Sequence, residues 1–215
     1  MGGPVMCVQK TPTLSFVNAY FFQTLQGYMH YKYRRIKRIL FEDLPDTIVE
    51  LGPGVGSNLR YFNPGTTLLA VEPNEGMHSL LKKNSERYSI HTKLMNLSAE
   101  KLPFPDSSVD AVVCSLVLCT VEKPDQVLKE IKRVLRVGGR LIFLEHVAAK
   151  QGSWIERIQR IVFRPWLWFF EGCHLNRDTD QTLRNADFSS LKIERLTLPT
   201  IFLPIRPHIY GTAIK

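Results

Sequence analysis

The chain has 215 residues, with 28 Lys and Arg against 20 Asp and Glu, 44% hydrophobic residues and four cysteines. That length supports one ordinary domain with a real core, and 22% charged with 10% aromatic residues excludes disorder or a coiled coil as the state of the whole chain. The net charge of +8 is uneven: +4 over residues 1–45, +1 over 46–150 and +3 over 151–215.

Lys32, Arg34, Arg35, Lys37 and Arg38 supply most of the N-terminal excess. A protein that grips a phosphate backbone would spread charge over its main face, so nucleic acid is not the expected partner. The cluster reads as a solvated helix face or as a contact with an anionic membrane surface. No run approaches the roughly 20 apolar residues of a membrane span. The stretch 14–25 is interrupted by Ser15, Asn18, Gln23 and Thr24 and reads as neither a span nor a signal peptide. Cys7, Cys114, Cys119 and Cys173 form no CxxC pair and no Cys/His pattern with zinc spacing, so free thiols in a reducing compartment and no metal are expected.

In chain order, residues 31–41 read as a basic helix with Ile36, Ile39 and Leu40 available for packing. From residue 48 onward short apolar runs alternate with longer amphipathic stretches, the sequence form of a parallel α/β sheet. Strands are expected at 48–51, 67–71, 91–97, 109–115 and 140–146. Helices are expected near 57–61, 76–88 and 125–135, the last with Val127, Leu128, Ile131, Val134 and Leu135 on one face before Gly138-Gly139 turns the chain. Two prolines make 102–108 a loop. In 153–164, Trp154, Ile158 and Ile161 recur at helical spacing, and Pro165 is expected to break that helix before Trp166-Leu167-Trp168-Phe169-Phe170. The segment reads either as a helix with core aromatics or as a lid over an apolar substrate that also meets a membrane interface. Runs 191–198 and 209–214 are expected to close the sheet as antiparallel strands.

Val49-Glu50-Leu51-Gly52-Pro53-Gly54-Val55-Gly56 ends the first strand, where glycines permit the turn and let a ligand approach the backbone. Glu72 follows the first glycine by twenty residues, at the end of the second strand, where a carboxylate faces a ribose. Dinucleotide sites prefer G-x-G-x-x-G, whereas the spacing here is Gly52-x-Gly54-x-Gly56. Glu50, two residues before the first glycine, is placed for a cationic ligand such as the ammonium of S-adenosyl-L-methionine (SAM).

These residues resemble the class I SAM-dependent methyltransferases. The likeness continues through Ser98-Ala99-Glu100, Leu102-Pro103-Phe104, Val109-Asp110-Ala111-Val112 and Arg133-Val134-Leu135-Arg136-Val137-Gly138-Gly139. It implies a Rossmann-like α/β fold: a seven-stranded, mostly parallel sheet with helices on both faces and a C-terminal antiparallel hairpin. The implied division is an N-terminal extension with the basic helix at 1–44 and the methyltransferase domain at 45–215. The implied SAM contacts are Glu50, Gly52, Pro53, Gly54, Gly56, Glu72, Pro73, Met77, Ala99, Glu100, Ser115 and Leu116, with adenine near Ala99 and Glu100.

Four further segments are similar to the methyltransferase-like seven group of alkyl thiol S-methyltransferases. They run from Val113 through Cys119 to Val121, over Leu144-Glu145-His146-Val147-Ala148-Ala149, from Glu171 through Cys173 to Arg177, and over Arg206-Pro207-His208-Ile209-Tyr210-Gly211. That group implies a small lipophilic thiol as acceptor, a monomer, and peripheral contact with membrane at the cytosolic face of the endoplasmic reticulum or at a lipid droplet. The family's long apolar anchor is not matched by residues 1–26, and a cytoplasmic location is the expectation if that difference is decisive. Two other readings stand beside it: a carbon or oxygen methyltransferase on a quinone precursor, and a catalytically silent SAM-binding lipid-droplet protein. No catalytic residue is assigned: His146, His174 and His208 read first as hydrogen-bonded structural histidines, and Cys114 and Cys119 as buried packing residues.

Overall fold

The computed structural model describes residues 12–215. Cys7 and the first eleven residues lie outside the described part. Five helices and seven strands follow in the order α1 (Pro12–Leu40), β1 (Thr47–Leu51), β2 (Thr67–Val71), α2 (Glu75–Arg87), β3 (His91–Met95), β4 (Val109–Ser115), α3 (Pro124–Val134), β5 (Leu135–His146), α4 (Trp154–Phe169), α5 (Thr179–Asn185), β6 (Ser190–Thr197) and β7 (Pro207–Ile214). The sheet order is β3-β2-β1-β4-β5-β7-β6, parallel from β3 to β5 and antiparallel across β7 and β6.

Helices cover both faces. On one, Val127, Leu128 and Ile131 of α3 and Leu183 of α5 pack on Val49, Leu51, Val112 and Phe143. On the other, Tyr33 and Leu40 of α1 and Leu81 of α2 pack on Ile48, Leu68, Val113 and Ile142. The central strands are buried on both sides, which is why they read as continuous apolar runs rather than alternating ones.

Four local departures have physical causes. The basic helix is part of the 29-residue α1, whose inward stripe runs through Ala19, Gln26, Tyr33, Lys37 and Leu40. That phase turns Ile39 out, 69% exposed, and Lys37 in. The expected helix at 57–61 is only a 3₁₀ turn, Leu59–Tyr61. β5 starts at Leu135 rather than Arg140, with a register shift against Val109 and Ala111, so Gly138 at φ +78° sits within an irregular strand entry. Finally, α4 runs through Pro165 instead of ending there. Proline leaves the carbonyl four residues back without its helical partner, and here that residue, Ile161, is 78% exposed, so water can satisfy it.

Candidate active site

β1, β2 and β4 all end at one edge of the sheet, and the residues immediately after them, Gly52, Glu72 and Leu116, line a cavity of about 470 Å³. That volume suits a small-molecule ligand, and the carboxyl edge of parallel strands is where such sheets bind them. A shallower hollow around Asp43, Asp110 and Arg140 lies at the opposite edge, away from the glycine loop.

The glycine loop and Glu72 are one unit. Glu72 is buried; Oε2 accepts from Gly54 N at 2.9 Å and Oε1 from Asn74 N at 2.8 Å. Gly52 and Gly54 both adopt positive φ, +56° and +57°. A Cβ on Gly52 would lie 2.7 Å from Val117 Cγ2, whereas one on Gly54 would enter open space. Gly54 thus leaves room for a ligand beside its own backbone, while Gly52 is fixed by packing. Leu116 is also in the left-handed region, φ +61°, a costly conformation for leucine held at the cavity wall.

Ten of the twelve expected contacts line the cavity: Gly52, Pro53, Gly54, Glu72, Pro73, Met77, Ala99, Glu100, Ser115 and Leu116. Glu50 and Gly56 do not. Glu50 lies beneath the loop with Oε1 accepting from Asn58 Nδ2 at 2.6 Å, and it is Asn58 that reaches the cavity. Burial pushes Glu50 up to about 7, against the opposing pull of Asn58 and Lys37. At Gly56, φ +86°, a Cβ would lie 2.4 Å from Leu59 Cδ1, so this glycine serves packing.

The sequence reading missed the far wall. Lys37, 3% exposed, lines the cavity from α1, together with Ser15, Asn18 and Phe22. Burial lowers Lys37 to about 8, with Glu50 holding it up and Arg60 pushing it down. Leu167, Trp168, Phe170, Glu171 and His174 close the cavity from α4 and the loop after it. Side-chain bonds tie the two walls: Asn18 Nδ2 donates to Phe169 O at 3.0 Å, Ser15 Oγ bonds Asn74 Oδ1, and Asn74 Nδ2 donates to Glu171 Oε1. Only Gln159 of α4 is fully buried, which corrects the reading of α4 as a helix of core aromatics. The signal for the α1 wall was the stripe of period seven, Ala19, Gln26, Tyr33 and Leu40, hidden by its polar member.

Behind the wall, Glu145 organises the loop after β4: Oε1 accepts from Val117 N at 2.9 Å and Leu118 N at 3.1 Å, and Oε2 from Cys119 N at 3.4 Å. His146 and His208 are buried structural residues, His208 Nε2 bonding Tyr33 Oη at 2.8 Å. His174 differs, because it lines the cavity and burial with Arg177 lowers its basicity.

A family of methyltransferase domains matches residues 49–143, the span from the glycine loop through β5. Over 207 residues the chain is 37% identical to the rat thiol S-methyltransferase TMT1B, covering 91% of this chain and 85% of that protein. The chain belongs to the thiol S-methyltransferase family. The human family member TMT1A is 35% identical over 83% of this chain and 78% of its own length. The fold is shared more widely: a SAM-dependent methyltransferase from Thermotoga maritima superposes with a TM-score of 0.65 at 21% identity, over 95% of this chain and 98% of that one. This family member is therefore a SAM-dependent methyltransferase with a Rossmann-like fold. SAM fits the cavity the residues build: Gly54 leaves open space beside the Glu72 carboxylate, and Val71, Met77, Leu116 and Val117 provide apolar walls.

Proposed function

We propose that this enzyme methylates a small lipophilic thiol, giving a methyl thioether and S-adenosylhomocysteine. The observation that carries this reading is the match to a protein named thiol S-methyltransferase, which runs through the acceptor half of the chain as well as the cofactor half. Glu72 holds the ribose hydroxyls, Gly52 to Gly54 and Asn58 border the methionine part, and Ala99 with Glu100 flanks adenine. The acceptor lies under Leu167, Trp168 and Phe170.

Transfer from a sulfonium to a thiolate turns a cation and an anion into two neutral products, so water slows it by stabilising the reactants. The aromatic wall excludes that water, and the fixed loop holds the donor for in-line attack. A free thiol titrates at roughly 8.5, so a few per cent is ionised near neutrality without a strong base. His174, kept neutral, is available to take the proton.

No helix among the described residues is long and apolar enough to cross a membrane. Phe16, Tyr20, Trp154, Ile161, Trp168, Ile201 and Leu203 nevertheless expose large apolar side chains. Contacts of Phe21 with Phe169 and of Trp166 with Phe202 join their three segments, of which α1 and α4 also line the cavity. This supports acceptor delivery from a lipid surface such as the endoplasmic reticulum or a lipid droplet by a peripheral monomer.

Labelled SAM with a panel of alkyl thiols, phenols, amines and quinol precursors tests the acceptor. Thiols are expected to turn over fastest; preference for quinols would replace the reading with carbon or oxygen methylation, and SAM binding without any turnover would replace it with a silent binding protein. Flotation with liposomes tests these exposed side chains, and absence from the lipid fraction would remove membrane delivery.

A further inference from the structure

Three of the four segments that set the thiol-methyltransferase likeness apart contribute one side chain each to a single buried point. Cys119 comes from the loop after β4, His146 from the last position of β5 and Cys173 from the loop after α4, and all three are buried. Their donor atoms lie within 4.8 Å of one another. Cys173 Sγ is 2.9 Å from His146 Nε2 and 3.9 Å from Cys119 Sγ. The fourth segment adds His208, whose ring packs edge-on against His146 with centroids 6.4 Å apart. None of this is needed to bind SAM, and none of the three residues lines the cavity.

We infer that Cys119, His146 and Cys173 form a zinc site that pins the acceptor wall of the cavity to the end of the sheet.

The donor set is the first reason. Two thiolates and an imidazole suit zinc, which binds Cys and His at about 2.0–2.3 Å; as three of its four tetrahedral ligands their donor atoms must converge to within a few ångströms of each other, as these do, and the fourth position would fall to water or another small donor. Charge is the second. Two thiolates neutralise a dication, leaving the neighbouring Glu145 carboxylate to balance the Arg177 guanidinium, which bonds Leu118 O at 2.6 Å and Val121 O at 2.7 Å. A buried site with no net charge avoids the heavy cost of desolvating an unpaired ion. The third is the surrounding shell: Trp166 Nε1, which can only donate, reaches Cys173 Sγ at 3.2 Å, an N–H···S contact of the kind that supports a metal-bound sulfur.

Position gives the site its effect. Thr120 next to Cys119, and Gly172 and His174 either side of Cys173, line the cavity. His174 N also donates to Cys119 O at 2.8 Å, so the two loops already meet there. A metal would lock that junction and so hold Thr120 and His174 in place. The spacing explains why no pattern was visible: Cys119 and Cys173 are 54 residues apart and His146 lies 27 before Cys173.

The test uses the full-length chain, produced with zinc in the medium and purified without chelators or a metal-binding tag. About one zinc per chain is expected by elemental mass spectrometry, as for a structural site. The double variant Cys119→Ser/Cys173→Ser is expected to lose it, and Cys114→Ser to retain it. Because the double variant could fail to fold, cobalt exchange into the wild-type chain supplies a second readout: a thiolate-to-cobalt charge-transfer band is expected. Folded, SAM-binding wild-type chain that holds no zinc and shows no such band overturns the inference. So does a Cys119–Cys173 disulfide found by peptide mapping of freshly alkylated protein.

Discussion

A lysine at 3% exposure carries a charge that needs a partner, and at Lys37 the neighbours are Glu50, tyrosine faces and the cavity itself. We expect the amino-acid end of SAM to bring its carboxylate to this wall, where the Lys37 ammonium would make a charge-assisted bond. Lys37→Met is expected to weaken SAM by roughly ten- to a hundredfold, the worth of such a bond. It should leave 5′-methylthioadenosine, which lacks the carboxylate, unaffected; calorimetry with both ligands separates a local contact from a damaged pocket. The pH dependence follows from the direction of the shift. Lys37 in the folded chain loses its proton near 8, below its ordinary 10.5, so the charge that attracts the carboxylate is present at neutrality and disappears as pH rises through about 8. SAM affinity of the wild type is expected to fall more steeply across that window than that of Lys37→Met, which keeps only the titration of Glu50 and of the ligand's own ammonium. The same residue shows where residue-level reading stops: a Lys in a basic run looks solvated until the phase of its helix is known.

Among elements, the two that join late carry the sharpest constraints. β7 lies between β5 and β6, and at Gly211 an added Cβ would come 1.9 Å from Lys192 O, a backbone atom that cannot swing away. Gly211→Ala is expected to cost about 1–3 kcal/mol or more, read as a fall of several degrees in Tm with the SAM-bound fold retained. In α4, Trp168 both lines the cavity and is 56% exposed, the position of a movable cover rather than of a core residue. With the acceptor under α4 as proposed, Trp168→Ala is expected to raise KM for a thiol severalfold while SAM affinity stays within about twofold. The strands β2 and β4 were legible to the residue because short, largely buried apolar runs bounded by turn residues admit little else. α5 was not, being seven residues long with Leu183 as its fully buried apolar anchor. Nor was the persistence of α4 past Pro165, since a proline in the sequence reads as a helix end.

On the scale of the whole molecule, the N-terminal helix is not an appendage. Tyr33, Leu40 and Phe41 share a core with β1, β2 and β4, and Gln26 Nε2 donates to Val55 O at 3.2 Å within the glycine loop. A chain beginning at residue 45 is expected to lose the fold as well as the cofactor, seen as exposed apolar surface in dye binding and no cooperative melt; a folded, SAM-binding fragment would refute this. The cofactor half of the site was readable because its glycines and acid sit at fixed distances along one βαβ unit. The other half was not, since it is assembled from α1 and the loop after α4, more than 130 residues apart in sequence. The clasp of Asn18, Asn74 and Glu171 that joins those halves has a kinetic meaning. On the proposed reading, cofactor sits against the strand termini and acceptor under α4. Turnover should then be strictly sequential: SAM enters before the thiol, and the thioether departs before S-adenosylhomocysteine. Product inhibition by S-adenosylhomocysteine should accordingly be competitive with SAM and noncompetitive with the thiol.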